Sequence, residues 1–575
     1  MKHGNLLLIS ILLISALSFP KNSLGQGITW MKAIGGNEGD FLYASTMDKN
    51  NSIYIAGAFK DTMDVDPDEN YDTLVAQNFY DVFIAKVDSS GELRYSQVLG
   101  GRAQETVTSI STDDSLNYYI AGTFTYDIDV APGDDTLVFN TPTTGDIYFL
   151  KMNASDELVW AYHMITNSEE DAIEDIVVDS AGNIYCTGRF SGTMDFYPGD
   201  SVYELSSNGY SDIFIMKLSP EADLLWAKNI GGIYDDAGKK LLVSDEGNLL
   251  ISGNFKGEVD FNPGTEENVI ASEGLRDVFL MNLTTEGAFQ WAKSLGGTAN
   301  DYIRKMIFDH NENLILGGGF RFETDLNPDP NEEYIVNGGS WNDLFITKLT
   351  MNGDFQWAKT LGDEEPIYLQ SLDVDSANNV YYSVNFDEPL DIIPDQDSTE
   401  IVHPEGSGDF LIGKLNTDGQ YLSVIVTGSE YYEYARNTFL DENANIYTIG
   451  LFRDHPEYTL NQTHAEIASK GQRDIFIQKL FQPSSDVSIA EHNLLYLRVF
   501  PNPSNGNLKI RGTGLKPDTY KIRLINSYGE LLLTKLIKSN GKIDTKITIP
   551  HPGIYFMEVT NEKNIQYSNK IVISR

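Results

Sequence analysis

DIFIMKLSPEADLLWAKNIGG, residues 212–232, decides the fold. Its first seven residues are apolar apart from Asp212 and Lys217, a polar turn follows, and a second β-rich run opens at Leu224 and holds Trp226. Such a stretch reads as a hairpin. The opening string recurs as DVFIAKV from Asp81, DIYFLKM from Asp146, DVFLMNL from Asp277, DLFITKL from Asp343, DFLIGKL from Asp409 and DIFIQKL from Asp474, always 65 or 66 residues on. Trp30, Tyr95, Trp160, Trp226, Trp291 and Trp357 keep the same step, and four of them lead into Gly-Gly (WMKAIGG, YSQVLGG, WAKNIGG, WAKSLGG). A strand closing in G-x-F adds a third marker at Gly57, Gly122, Gly188, Gly253, Gly318 and Gly450.

Seven units with no net drift predict one repeating architecture. Within a unit, turn strings such as VDSAGN, SDEGN and FDHNEN separate short β-rich runs, and no helical period appears. The Asp-x-Phe strands are apolar almost throughout, so both of their faces must be covered. Four strands per unit, repeated seven times, suit blades set around an axis: an all-β, seven-bladed β-propeller. The phase predicts its closure. Ile28–Ile34 is a Trp strand with no hairpin partner before it, and Asp474–Leu480 has no Trp strand after it, so the first completes the last blade and leaves no open edge.

The ends read differently. Leu6–Leu17 is a twelve-residue apolar run behind Lys2 and His3, too short to span a bilayer and of the length of a signal h-region. Ser23 and Gly25 are the small residues before a cleavage site, so residues 1–25 are expected to be a signal peptide. The mature chain is expected to have no transmembrane segment. The chain carries 41 Lys plus Arg against 84 Asp plus Glu, a net −43, which argues against nucleic acid as a partner. One cysteine excludes a disulfide framework and a thiolate metal site. Residues 496–575 reverse the sign, with 13 Lys plus Arg against 5 Asp plus Glu, leaving residues 28–495 at −53. The expected organisation is a signal peptide (1–25), a propeller (26–481), a linker (482–497) and a small C-terminal β-sandwich (498–575).

On the D-x-F-[IVL]-x-K-[LV] string and the D-x-x-G-N-[IV]-Y strand, residues 28–481 resemble seven-bladed β-propeller repeat proteins secreted by bacteria. Departures are Met164-Ile165-Thr166 for Gly-Gly, Val384-Asn385-Phe386 for G-x-F, and Ser423 at the Trp position. In the tail, Val499-Phe500-Pro501-Asn502-Pro503, Gly506, Gly553-Ile554-Tyr555-Phe556 and Lys570-Ile571-Val572-Ile573 resemble the C-terminal sorting domain (type A) of type IX secretion cargo. That resemblance implies Pro501, Asn502, Pro503, Gly506, Gly553, Tyr555 and Lys570 as the sorting motif and the type IX machinery as a partner. It also implies passage through the periplasm of a Gram-negative bacterium, removal of the tail, and a secreted or cell-surface product.

Candidate chemistry is sparse. No histidine sits in a zinc-protease or nucleophile-elbow context; His455 and His464, in a loop that departs from the repeat, are the best place for a private site. Cys186 lies in a strand and reads as a small buried residue. Lys86, Lys151, Lys217, Lys348, Lys414 and Lys479 recur and are expected to pair with strand and turn carboxylates rather than form an anion-binding ring. The loops Asp64-Val-Asp66-Pro, Asp129-Val-Ala-Pro, Asp195-Phe-Tyr-Pro, Asp260-Phe-Asn-Pro, Asp325-Leu-Asn-Pro and Asp391-Ile-Ile-Pro offer hard oxygen ligands to calcium, and equally make plain turns. No other cofactor is indicated. Two functions stay open: a non-catalytic exported propeller binding a surface polysaccharide or protein, with a role in adhesion, or an exported polysaccharide-active hydrolase or lyase on the same scaffold.

Overall fold

The third repeat shows how one unit forms. Asp179 closes its first turn. Its Oδ1 accepts the N–H groups of Ala181 and Asn183, and its Oδ2 takes the Asn183 amide and the Tyr185 hydroxyl. Gly182 supplies the left-handed residue there, at φ 83°. The strands on either side then pair in chain order as one antiparallel sheet: Ala172–Val178, Ile184–Asp195, Glu204–Leu218 and Leu224–Ile230.

The structure is a computed structural model. It describes residues 27–481, except 67–71, 132–135, 142–144, 167, 169, 198–200, 363–365, 394–400 and 461–462, and residues 496–573, except 501–506, 514–517, 527–530, 540–541, 550, 552 and 561–564. Among the described residues all elements are strands, and no helix is long and apolar enough to cross a membrane. The expected signal peptide lies outside the described residues.

The four-strand order recurs in ladders opening at Phe41, Glu105, Ala237, Tyr302, Tyr368 and Glu433. In the seventh, the fourth strand is Gly27–Gly36, paired with Asp474–Phe481 from Ile28 opposite Leu480 to Ile34 opposite Ile475. First strands of consecutive repeats pack against one another. On the first strand of the seventh, Asn437 donates to the Ser45 carbonyl on that of the first, at 3.2 Å. Second and third strands are the buried ones, and Ser211–Leu218 is buried throughout. Apolar clusters span neighbouring sheets: Phe149 and Ile147 of one meet Cys186, Phe214 and Met216 of the next. Each such side chain contributes about 1.5–3 kcal/mol on burial.

Sheets are also tied by polar contacts. Lys217 Nζ and Trp226 Nε1 both donate to the Thr285 carbonyl on the hairpin turn of the next sheet, at 3.0 and 3.3 Å. Lys348 and Trp357 treat Thr417 alike, Lys151 and Trp160 treat Pro220 alike, and Lys479 and Trp30 meet at Ser89. The last contact runs from the seventh sheet to the first. The repeated lysines thus face turn carbonyls, tyrosine rings (Tyr185 at 5.3 Å from Lys217) and carboxylates (Asp309 at 2.8 Å from Lys348, Asp375 at 2.9 Å from Lys414).

The departure at Val384 has a steric reason. In the third repeat Gly188 pairs with Phe214, and a Cβ on Gly188 would lie 2.9 Å from the Phe214 ring. In the sixth, Val384 pairs with Leu411, so the smaller residue moves to the other strand. Two positions along, Tyr382 covers Gly413, reversing size once more.

A second compact unit comprises Pro483–Arg575. Tyr496–Phe500, Asn507–Thr513 and Lys542–Thr548 form one sheet, and Leu531–Ser539, Asp518–Asn526, Gly553–Thr560 and Ile565–Ile573 the other. Leu508 and Ile547 of the first share a core with Ile522, Leu524 and Met557 of the second. Tyr496–Phe500 begins two residues before the expected start of this unit at 498.

Val384→Gly should lower stability by roughly 3 kcal/mol through the cavity beside Leu411 and the freer glycine backbone. Adding Leu411→Phe should restore most of the loss in thermal unfolding. A double variant no more stable than Val384→Gly would show that the two positions are not a compensating pair.

Candidate functional site

Every first strand carries the same irregularity. Pairing register skips between Leu42 and Ala44, Val107 and Ser109, Ile173 and Asp175, and Gly238 and Lys240. It skips again between Ile303 and Lys305, Leu369 and Ser371, and Ala435 and Asn437. An extra residue in one strand is a β-bulge, which re-aims side chains locally. In six repeats the G-x-F glycine makes room for it: a Cβ on Gly188 would lie 1.9 Å from the Ala172 carbonyl, and one on Gly253 2.0 Å from that of Ala237. The bulged residues are Tyr43, Thr108, Glu174, Lys239, Arg304, Gln370 and Arg436, again 65 or 66 apart. All seven line a single cavity of about 500 Å³.

Its electrostatics run against the rest of the chain. Lys239, Lys240, Arg304, Lys305 and Arg436 face Glu174 and Asp175. Lys239 pairs with Glu174 at 2.5 Å and Lys240 with Asp175 at 3.7 Å. Lys305 Nζ donates to Asn437 Oδ1 at 3.2 Å, and Arg304 Nε to the Leu369 carbonyl at 3.4 Å. Among the described residues no carboxylate is within ion-pair distance of Arg304, Lys305 or Arg436. Burial, then the neighbouring Lys240, pulls the Lys305 ammonium down to about 7. Burial and Arg304 lower Arg436. Asn437 is held by Ser371, whose hydroxyl donates to its Oδ1 at 3.0 Å. A second hollow of about 280 Å³ shares Lys239, Asn254 and Tyr302 and adds Arg189 and Arg276. Beside Arg276, Leu275 is one of four exposed apolar residues, with Phe79, Tyr210 and Trp341, each two positions ahead of a third-strand Asp.

The residues singled out in the sequence fall elsewhere. Asp64 Oδ1 accepts the N–H groups of Asp66 and Asp72 at 3.2 Å. Asp129 takes those of Ala131 and Leu137, Asp195 those of Tyr197 and Tyr203, and Asp260 those of Asn262 and Asn268. Asp325 takes those of Asn327 and Tyr334, and Asp391 that of Ile393. One oxygen of each is committed to closing its own turn. Among the described residues no group of three His, Cys, Asp or Glu side chains is placed to hold a metal. Cys186 is buried, and burial raises its thiol pKa. His455 is exposed ahead of the strand Glu457–Leu460, and His464 pairs with Thr459 in the hairpin that follows. Pro501, Asn502, Pro503 and Gly506 lie outside the described residues. Gly553 opens one tail strand opposite Ile573, Lys570 pairs with Phe556, and Tyr555 donates to the His551 carbonyl at 3.0 Å.

A further recurrent feature is a pair of buried carboxyls. Each third-strand Asp from Asp81 to Asp474 is buried; in several, one oxygen accepts the N–H four residues back, as Asp212 does from Asn208 at 2.9 Å. The fourth-strand glycine is needed beside it, since a Cβ on Gly231 would lie 2.4 Å from Asp212 Cγ. Asp40, Glu105, Asp171, Asp236, Asp301 and Glu433 recur at or just ahead of the start of the first strands and are buried too. Asp40, Asp236 and Asp301 accept the N–H of the second glycine at 2.8 Å. Burial, with the neighbouring Asp474, raises Asp40 to about 7; burial and Asp409 raise Glu433 to about 7. Burial raises Asp301 to about 6 and, with Asp301 beside it, Asp277 to about 7.

Residues 498–574 match the family of secretion system C-terminal sorting domains. That tail supports handling by the type IX secretion machinery and an exported, secreted or cell-surface protein. The chain is similar to the uncharacterized WD repeat-containing protein L264 of Acanthamoeba polyphaga mimivirus, 21% identical over 520 residues, covering 77% of this chain and 37% of that protein. It is also similar to the regulatory protein FlaEY of Caulobacter vibrioides (strain ATCC 19089 / CIP 103742 / CB 15), 23% identical over 180 residues, covering 31% of this chain and 18% of that one. The chain thus spans well under half the length of either relative. Among solved structures, a protein of unknown function from Dyadobacter fermentans DSM 18053 covers 80% of this chain and 100% of its own, at 10% identity and a TM-score of 0.34.

The carboxyl pairs set a pH dependence. Their folded pKa values lie above the unfolded values near about 4, so the stability they contribute is full below that pH and is lost as pH rises through 6 to 7. The melting temperature should therefore fall between pH 5 and pH 8, and less steeply in Asp301→Asn. A melting temperature that rises across this interval would show that the carboxyls are ionised throughout.

Proposed function

We propose that this chain is an exported seven-bladed β-propeller that binds a surface polysaccharide or protein, without catalysis, in the cavity lined by its seven first strands. In this reading the seven sheets are blades and Gly27–Gly36 closes the last. Residues 1–25 direct export, 26–481 bind, 482–497 link, and 498–575 are the sorting address. One observation carries the reading: the repeat is uniform where it packs and different where it faces the cavity. The third-strand Asp recurs in all seven units and its lysine and the G-x-F glycine in six each, whereas the bulge positions hold Tyr, Thr, Glu, Lys, Arg, Gln and Arg. A scaffold that repeats its core and diversifies one position per blade builds a composite binding surface. The hydrolase reading would need free carboxylates in the cavity, and Glu174 and Asp175 are paired with Lys239 and Lys240.

Glycan and protein arrays probed with the full chain, alongside a reducing-sugar assay on each glycan bound, test this. Binding without release of reducing ends is expected. Turnover that disappears in Glu174→Gln would replace this reading by the enzymatic one.

The tail is assigned no part in binding. Deleting residues 498–575 should leave a folded, binding-competent chain in the periplasm of a host with a type IX system. Arrival of that truncated chain in the medium would overturn the assignment.

A further inference from the structure

Residues 28–495 carry 26 Lys plus Arg against 79 Asp plus Glu, yet the cavity wall holds five basic side chains and two carboxylates. The two carboxylates of the wall pair with Lys239 and Lys240, and Asp175 and Asp373 also act on Lys305, which leaves Arg304 and Arg436 facing the cavity with no carboxylate within ion-pair distance among the described residues. Arg304 lies close enough to Lys305 and Arg436 to oppose the charge of both. Like charges gathered on a partly desolvated wall are costly unless an anion neutralises them. Guanidinium groups match the two oxygens of a carboxylate or sulfate geometrically. Beside the apolar Leu42, Ala44, Ile110 and Ile303, the rest of the wall is neutral and hydrogen-bonding, with Tyr43, Ser45, Thr108, Ser109, Gln370 and Asn437 among it. An inorganic oxyanion would use the cations and leave these groups to water, whereas a polyhydroxylated ligand would use both. The volume of about 500 Å³ falls within the range of small-ligand sites.

We infer that the cavity binds an acidic saccharide, with its carboxylate or sulfate held by Arg304, Lys305 and Arg436 and its hydroxyls by the neutral side chains of the opposite first strands. This rests on the binding reading above and names its ligand class.

The test is titration calorimetry on the full chain at low ionic strength. The probes are oligogalacturonate, oligoglucuronate and a chondroitin sulfate oligosaccharide, a neutral galactose oligomer of equal length, and sodium sulfate. At least one acidic oligosaccharide should bind, at least tenfold more tightly than the neutral oligomer or free sulfate. Arg304→Gln and Arg436→Gln should each weaken that binding about tenfold or more, with Arg436→Lys retaining most of it and melting temperatures confirming that the variants fold. Equal binding of acidic and neutral oligomers would overturn the inference, as would indifference to both substitutions. Sulfate binding as tightly as any saccharide would mean an oxyanion site with no sugar recognition, which also overturns it. Silence of every acidic probe while the arrays identify a neutral glycan or a protein would sink this inference and leave the binding reading standing. Silence on the arrays as well would remove both.

Discussion

One carbonyl oxygen on each of four hairpin turns does much of the work of assembly. On Thr285, Thr417, Pro220 and Ser89 it accepts both a lysine ammonium and a tryptophan N–H from the preceding sheet. A single sheet of this kind cannot cover both faces of its third strand, so each repeat must bury itself against the next. The lysine and tryptophan set the spacing at which that happens, and the apolar clusters fill the space between. Because the seventh sheet makes the same contact to Ser89 of the first, the strand Gly27–Gly36 is held by its ladder to Asp474–Phe481 and also, through Trp30, by the first sheet.

Glycine is the second constraint, and it acts in two places for two reasons. In G-x-F it admits the carbonyl of a bulged first strand and the aromatic ring of the third. After the Trp strand it admits a buried aspartate whose second acid neighbour crowds the same interface. The first set of glycines therefore lies beneath the bulge in six repeats, while the sixth repeat forms the same bulge over Val384. The uniform part of the sequence and the variable part are mechanically connected: in each of six repeats a glycine packs beneath the position whose side chain varies.

The sorting tail stands apart in charge and in core. Its positive balance is opposite to that of residues 28–495, and its two sheets share apolar residues of their own. The strands Tyr496–Phe500 and Asn507–Thr513 went unread in the sequence because Pro501, Asn502, Pro503 and Gly506 between them signal a loop.

From its sequence alone the chain determined its seven third strands, its turns, the pairing partner of Ile28–Ile34 and the burial of Cys186. Repetition made these legible, since packing imposes the same residue types at the same step. The sequence also displayed the acids from Asp40 to Glu433, but the series breaks at Ile367, and nothing short of tertiary packing shows that they meet the third-strand aspartates. The cavity was invisible for a stronger reason. Tyr43, Thr108, Glu174, Lys239, Arg304, Gln370 and Arg436 share no chemistry, so no motif marks them. What they share is a skipped register in the ladder, a property of backbone pairing. Only where the strands pair does a position that looks like noise in the repeat become the wall of a site.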